Sequence, residues 1–141
     1  MVLLDTNVVS ELLRAAPAAV VQAHLRRHRP ERMFTAAICL AEVRYGLARL
    51  PVGRRREALA ASVEAFLAGG FDGRILPFDA ACAGLYGVIR AEREARGRPI
   101  EVADAMIAAT ARAHGAMLIT RNTPDFAGCG IAVVDPWEYG A

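Results

Sequence analysis

The sequence predicts an α/β domain, with a central, mostly parallel sheet covered by helices on both faces. Short apolar runs rich in Val, Ile and Leu alternate along the chain with longer segments of helical period. Strands spaced by helices pair in parallel, and the helices become the crossovers. The 141 residues are 55% hydrophobic and 23% charged, a globular composition. A chain of this size buries roughly 68–70% of its unfolded surface, enough for one core. Residues 1–141 are therefore expected to form a single domain.

The elements follow in order. Residues 2–4 read as the first strand, and Thr6 to Arg14 as a helix. A second helix runs from Ala18 to His28, opening after Pro17. Met33 to Thr35 is a strand and Ile38 to Arg49 a helix ended by Pro51 and Gly53. Arg54 to Ala68 is a helix stopped by Gly69-Gly70, and Arg74 to Leu76 a strand. Asp79 to Arg96 is a long helix. Glu101 to His114 is another, with Gly115 just past its end. Met117 to Thr120 and Ile131 to Val134 complete the sheet.

Composition excludes several classes. No apolar run reaches the roughly 18 residues of a membrane span, and the N-terminus lacks a secretory layout, so the cytoplasm is the expected location. Cys39, Cys82 and Cys129 are far apart and odd in number, which suits buried thiols rather than disulfides or a zinc knuckle. All seventeen basic residues are Arg, so lysine-dependent chemistry is absent. The clusters "HLRRHRPER" (24–32) and "GRRRE" (53–57) suit phosphate contacts, although each alone reads as a solvated helix end. His24 and His28, spaced i, i+4 among arginines, likewise read as a solvated face, and His114 as a cap on helical carbonyls.

The acids carry the chemistry. Asp5 closes a buried strand, where an ionised group is costly unless something pairs with it. Glu42 lies in "ICLAEVRYGLARL" with no basic neighbour at i±3 or i±4, and Gly46 one turn on suggests a close approach to that backbone. Asp104 sits among small apolar residues at a helix start, where the dipole favours it by only about 0.3–1 kcal/mol. In "LITRNTPDF", Thr120, Asn122 and Asp125 follow a strand and suit a turn. Parallel sheets bind ligands beyond the carboxyl ends of their strands, which is where these groups fall. Two carboxylates at 4 Å repel by about 4 kcal/mol at an effective dielectric near 20. Protonation or a bound cation relieves that repulsion. Oxygen donors without His or Cys suit a hard ion, and such ions assist phosphodiester hydrolysis.

Together, "LLDTNVVSEL", "AEVRYGL" and "VADAMIAATARAHGAMLITRNTPDF" resemble the PIN-domain family, most closely the VapC and FitB-type toxins of bacterial toxin–antitoxin operons. The match runs from Val2 to about Pro136. The resemblance implies a three-layer α/β/α PIN-like domain and an endoribonuclease dependent on Mg²⁺ or Mn²⁺. It implies a homodimer inhibited by a small DNA-binding antitoxin of the VapB/FitA type. The family's three acids correspond to Asp5, Glu42 and Asp104, the expected metal ligands. Thr6 and Asn7 match the hydroxyl and amide after the first acid, and Thr120 matches the hydroxyl ending the fourth strand. This chain departs at the fourth acidic position, where Asn122 stands in place of the Asp of many relatives. Asp125, one turn on, either supplies the missing charge or braces the turn. A basic side chain of the antitoxin would be drawn into such a cluster.

Two other readings compete. An aspartyl-phosphate phosphatase also begins on a strand ending in Asp, but it wants a second acid where Asn7 stands and a lysine this chain lacks. A non-catalytic PIN-like module that only binds RNA or protein would not require all three acids. Val43, Leu47, Leu59 and Val63 suit either a core or an interface with a partner.

Overall fold

The structure, a computed structural model, describes residues 1–138. Among these, five strands form one sheet: β1 (Val2–Leu4), β2 (Met33–Ala36), β3 (Ile75–Leu76), β4 (Met117–Ile119) and β5 (Val133–Val134). The order is β3-β2-β1-β4-β5, and every neighbouring pair is parallel. Six helices provide the connections: α1 (Thr6–Leu12), α2 (Ala19–Leu25), α3 (Ala37–Ala48), α4 (Arg54–Ala68), α5 (Ala80–Ala95) and α6 (Val102–Ala113).

Alternation along the short strands builds the three layers. Leu3 and Leu118 enter a core shared with Ile89 of α5 and Ile107 and Ala108 of α6. Val2, Leu4 and Ile119 enter a second core with Val8 and Val9 of α1, Val21 of α2 and Val63 of α4. Helix α3 serves both, giving Cys39 to the first and Val43 to the second. Val43 and Val63 are thus core residues, while Leu47 and Leu59 are partly covered against the same cluster. All three cysteines are buried free thiols, as expected.

Each expected element is present; most ends are trimmed, while β2 runs on to Ala36 and α3 begins one residue early, at Ala37. Helix α1 stops at Leu12 because the Arg14 amide turns back to the Glu11 carbonyl at 3.2 Å. The buried Glu11 carboxylate ties this end to the next helix, accepting from the Ala18 amide at 2.9 Å and from Arg14 at 3.2 Å. Helix α2 stops at Leu25, and the amides of Arg27 and His28 close tight turns ahead of Pro30. The histidine pair departs from the solvated face expected of it. His24 is 4% exposed, and its ring centroid lies 5.3 Å from that of His28. The inward face of α2 carries Val21, His24 and Leu25 together, and burial lowers the pKa of both imidazoles. His114 behaves as expected, with Nδ1 3.3 Å from the Thr110 carbonyl.

Strand order places the functional edge. From β1 the sheet grows through β2 to β3 on one side, and through β4 to β5 on the other. The crevice beyond the carboxyl ends of β1 and β4 is therefore the topological switch point, where open α/β sheets take ligands. The fully buried Thr35 hydroxyl donates to the Leu4 carbonyl at 2.9 Å, pinning the end of β1 just before Asp5.

Candidate active site

Asp5 is the first residue past β1, and its amide donates to the Ile119 carbonyl at 3.0 Å. A helix cap would bond the amide of the second or third helical residue. Here Oδ1 accepts only from the next amide, Thr6, at 2.8 Å. The other oxygen, Oδ2, accepts from the Thr120 hydroxyl at 2.7 Å and from Asn7 Nδ2 at 3.3 Å. The cap is thus incidental, and most of the local donors serve to fix the carboxylate.

Thr120 organises the second strand end. Its hydroxyl gives its proton to Asp5 and accepts from Asn7 Nδ2 at 3.2 Å and from the Asn122 amide at 3.1 Å. Asn7 also accepts from the Arg121 amide through Oδ1 at 3.1 Å, so one amide side chain bridges the segments after β1 and β4. Thr6 reaches the other way, donating to Glu42 Oε1 at 2.6 Å, the short length expected of a hydroxyl on a carboxylate. Glu42 itself is exposed on α3. Asp104 lies in the first turn of α6, and Asp125 in the 3-10 turn Thr123–Phe126.

The electrostatics show that these acids share one field. Burial raises the pKa of Asp5 despite bonds from Thr120 and Thr6 that lower it, and Glu42 and Asp125 raise it further. Asp104 is pushed up to about 6, first by burial and then by Asp5, Asp125, Glu42 and Glu101. The helix dipole favours its ionised form by only about 0.3–1 kcal/mol, so burial and the neighbouring acids prevail. Among the described residues none of Asp5, Glu42, Asp104 and Asp125 joins an ion pair. Cys39, beneath Asp5, is pushed up to about 12 chiefly by burial, which keeps it a neutral thiol.

The structure also bears on the open pair after β4. Asn122 offers its backbone amide to Thr120, and its side chain is exposed. Asp125 braces the turn through its amide, which donates to the Asn122 carbonyl at 3.0 Å, while its carboxylate adds charge at Asp5 and Asp104. Sequence reasoning underplayed Asn7 as a bridging residue. Its signal was the tripeptide "DTN", but its role depends on β1 and β4 being neighbours.

Carboxylate oxygens with no ion-pair partner among the described residues, those of Asp5 and Asp104 with raised pKa values, have the chemistry a hard cation requires. Among the described residues no three acidic, His or Cys side chains are drawn together closely enough to hold a metal ion as they stand. The set is an open one, fixed at Asp5 and looser at the exposed Glu42 and Asp125.

A groove of about 730 Å³ leads away from Glu42, between apolar walls of Leu13, Val43, Leu50 and Leu59, with Arg14 and Arg55 along it. Gly46 lines it, yet a Cβ built there meets nothing within 4 Å. The close approach expected at this glycine is therefore not made within the described chain. Gly46→Ala is accordingly expected to raise stability by about 0.5–1 kcal/mol, through helix propensity alone. Urea denaturation checks this, and a loss of stability would show that the space is not open.

The family model for the PIN domain matches residues 2–127. The VapC ribonuclease Y4jK of Sinorhizobium fredii is 41% identical over 138 residues, covering 98% of this chain and 99% of that protein. Toxin FitB of Neisseria gonorrhoeae is 42% identical over 138 residues, with the same coverage of 98% and 99%. A solved structure of FitAB bound to an IR36 DNA fragment is similar at a TM-score of 0.90 and 40% identity, covering 100% of this chain and 99% of that one.

Proposed function

Because this chain belongs to the PIN-domain family, we propose that it is a single-domain, metal-dependent endoribonuclease, the toxin of a type II toxin–antitoxin pair. The observation that carries the reading is that Asp5, Glu42, Asp104 and Asp125 act on one another at the switch point while none of them joins an ion pair among the described residues. The names of the relatives, a VapC ribonuclease and a FitB toxin, support it.

Asp5, Glu42 and Asp104 would hold Mg²⁺ or Mn²⁺, with Asp125 adding charge. When bound, such an ion supplies Lewis acidity, offsetting phosphate charge and making water a stronger nucleophile. The protein's own share is orientation. Thr120 and Asn7 fix the Asp5 carboxylate, and Thr6 fixes Glu42. The amide of Asn122 holds the Thr120 oxygen in place. Water would add to phosphorus in line with the departing ribose oxygen; the P–O bond opposite breaks, and the proton lost by the water is balanced by one taken up by the departing oxygen, which leaves as a hydroxyl. Exposed arginines such as Arg26, Arg32, Arg54 and Arg55 give affinity for the RNA backbone without reading its sequence.

The partner in this reading is a VapB/FitA-type antitoxin, which follows the groove and sets a basic side chain among the acids. The FitAB structure bound to DNA supports such a pairing. The same proposal places the protein as a homodimer in the cytoplasm, with its RNA substrate. No helix among the described residues is long and apolar enough to cross a membrane.

The test is incubation of the purified protein with a panel of structured RNAs in Mn²⁺, Mg²⁺ or EDTA. Cleavage with either ion and none in EDTA is expected. RNA bound but left intact under all three conditions would favour a non-catalytic binding module.

A further inference from the structure

Arg93 of α5 is 5% exposed, and its partners among the described residues are not carboxylates. Its Nε donates to the Arg98 carbonyl at 2.7 Å. Its Nη1 donates to the carbonyls of Asp125 at 2.8 Å and Ala127 at 3.0 Å, and lies 3.5 Å from Cys129 Sγ. A buried cation held by neutral backbone is costly, so the arrangement calls for a reason. The two segments it joins supply one. Residue 98 leads through Pro99 and Ile100 into α6, which carries Asp104 in its first turn. The carbonyls of 125 and 127 belong to the turn that carries Asp125.

We infer that Arg93 is a positioning residue that sets the separation of Asp104 from Asp125, and through it the affinity of the acidic edge for a divalent cation. This inference rests on the metal-dependent function proposed above. The planar guanidinium suits the task, because its donors diverge in fixed directions toward two segments at once. A lysine ammonium is a single point and can hold one of them. Arg96 adds a weaker tie to the same loop, donating to the Gly128 carbonyl at 3.4 Å.

Position and charge predict opposite signs. Removing a positive charge beside the acids would by itself tighten cation binding. If Arg93 acts through position, Arg93→Gln weakens Mn²⁺ binding by about 10–100-fold, the range seen when groups that orient metal ligands are lost.

The experiment measures the Kd for Mn²⁺ by calorimetry, and kcat and KM on a cleaved RNA. The proteins are wild type, Arg93→Gln, Arg93→Lys and Leu25→Ala, the last destabilising the opposite core. Weaker Mn²⁺ binding and lower kcat with KM little changed are expected for Arg93→Gln. Partial rescue is expected for Arg93→Lys, and wild-type affinity for Leu25→Ala. If Arg93→Gln fails to fold, Arg93→Lys carries the test, and it must bind Mn²⁺ more weakly than wild type. Unchanged or tighter Mn²⁺ binding in the folded Arg93 variants would overturn the inference and leave the proposed function standing. A wild-type protein that binds no Mn²⁺ and cleaves no RNA would overturn both.

Discussion

Asp5→Asn is expected to cut metal-dependent RNA cleavage by at least about 100-fold, because loss of even the groups that merely orient a metal's ligands costs about 10–100-fold. The fold should survive. Burial already raises the pKa of this acid, so the neutral amide removes a desolvation cost. Against that gain, the Asn amide would face the Thr120 hydroxyl and Asn7 Nδ2, both of which now donate to Asp5. The two effects oppose each other, and a net change within about 1 kcal/mol is expected. Cleavage assays with circular dichroism on the same sample check both halves. A folded Asp5→Asn protein with full metal-dependent activity would remove Asp5 from the mechanism.

The second large effect is on stability and is seen without metal. Asp104 titrates at about 6 in the folded protein, above its ordinary value of 3.8. A raised carboxyl pKa contributes stability below the unfolded value, and that contribution is lost as pH rises through the folded one. In EDTA the wild type should therefore be more stable at pH 5 than at pH 7 with respect to this group. Asp104→Asn should be the more stable protein at pH 7, with its advantage fading toward pH 4. Asp104 is only partly buried and water screens it, so about 1 kcal/mol at pH 7 is the expected size. Saturating Mn²⁺ should reverse the order, since a ligand that binds only the folded form stabilises it. Urea denaturation at pH 5 and pH 7, in EDTA and in Mn²⁺, measures all four conditions. Equal stability of the two proteins in EDTA at both pH values would show that burial and the neighbouring acids do not raise the Asp104 pKa.

The sequence reveals Asp5 because a strand buried on both faces and ending in a charge contradicts its own pattern. Asp104 and Glu42 are legible for a related reason, since neither has a basic neighbour one turn away to explain it. The α/β alternation predicts the layers for the same local reasons, and trimmed ends are the main local difference. What stayed hidden depends on which strands become neighbours. Asn7 reaches Thr120 across 113 residues of chain only because β1 pairs with β4. The switch point itself is a property of strand order, which alternation does not reveal. The interior position of His24 was obscured by the arginines around it, since the face of a short helix is set by what it packs against. Gly46 in a helix suggests a close approach, but the space beside it is open. The different surroundings of Asn122 and Asp125 depend on the fold as well. The turn gives the backbone amide of the first to Thr120 and the charge of the second to the acids.

In the proposed function, Asp5, Glu42 and Asp104 hold one divalent cation between them. Anomalous diffraction from crystals grown in Mn²⁺ locates that ion. An anomalous peak at the switch point, within about 2.0–2.6 Å of oxygens of Asp5, Glu42 and Asp104 or joined to them through water, is the expected result. Mn²⁺ bound elsewhere, or no peak in crystals of a protein that still cleaves RNA, would contradict it.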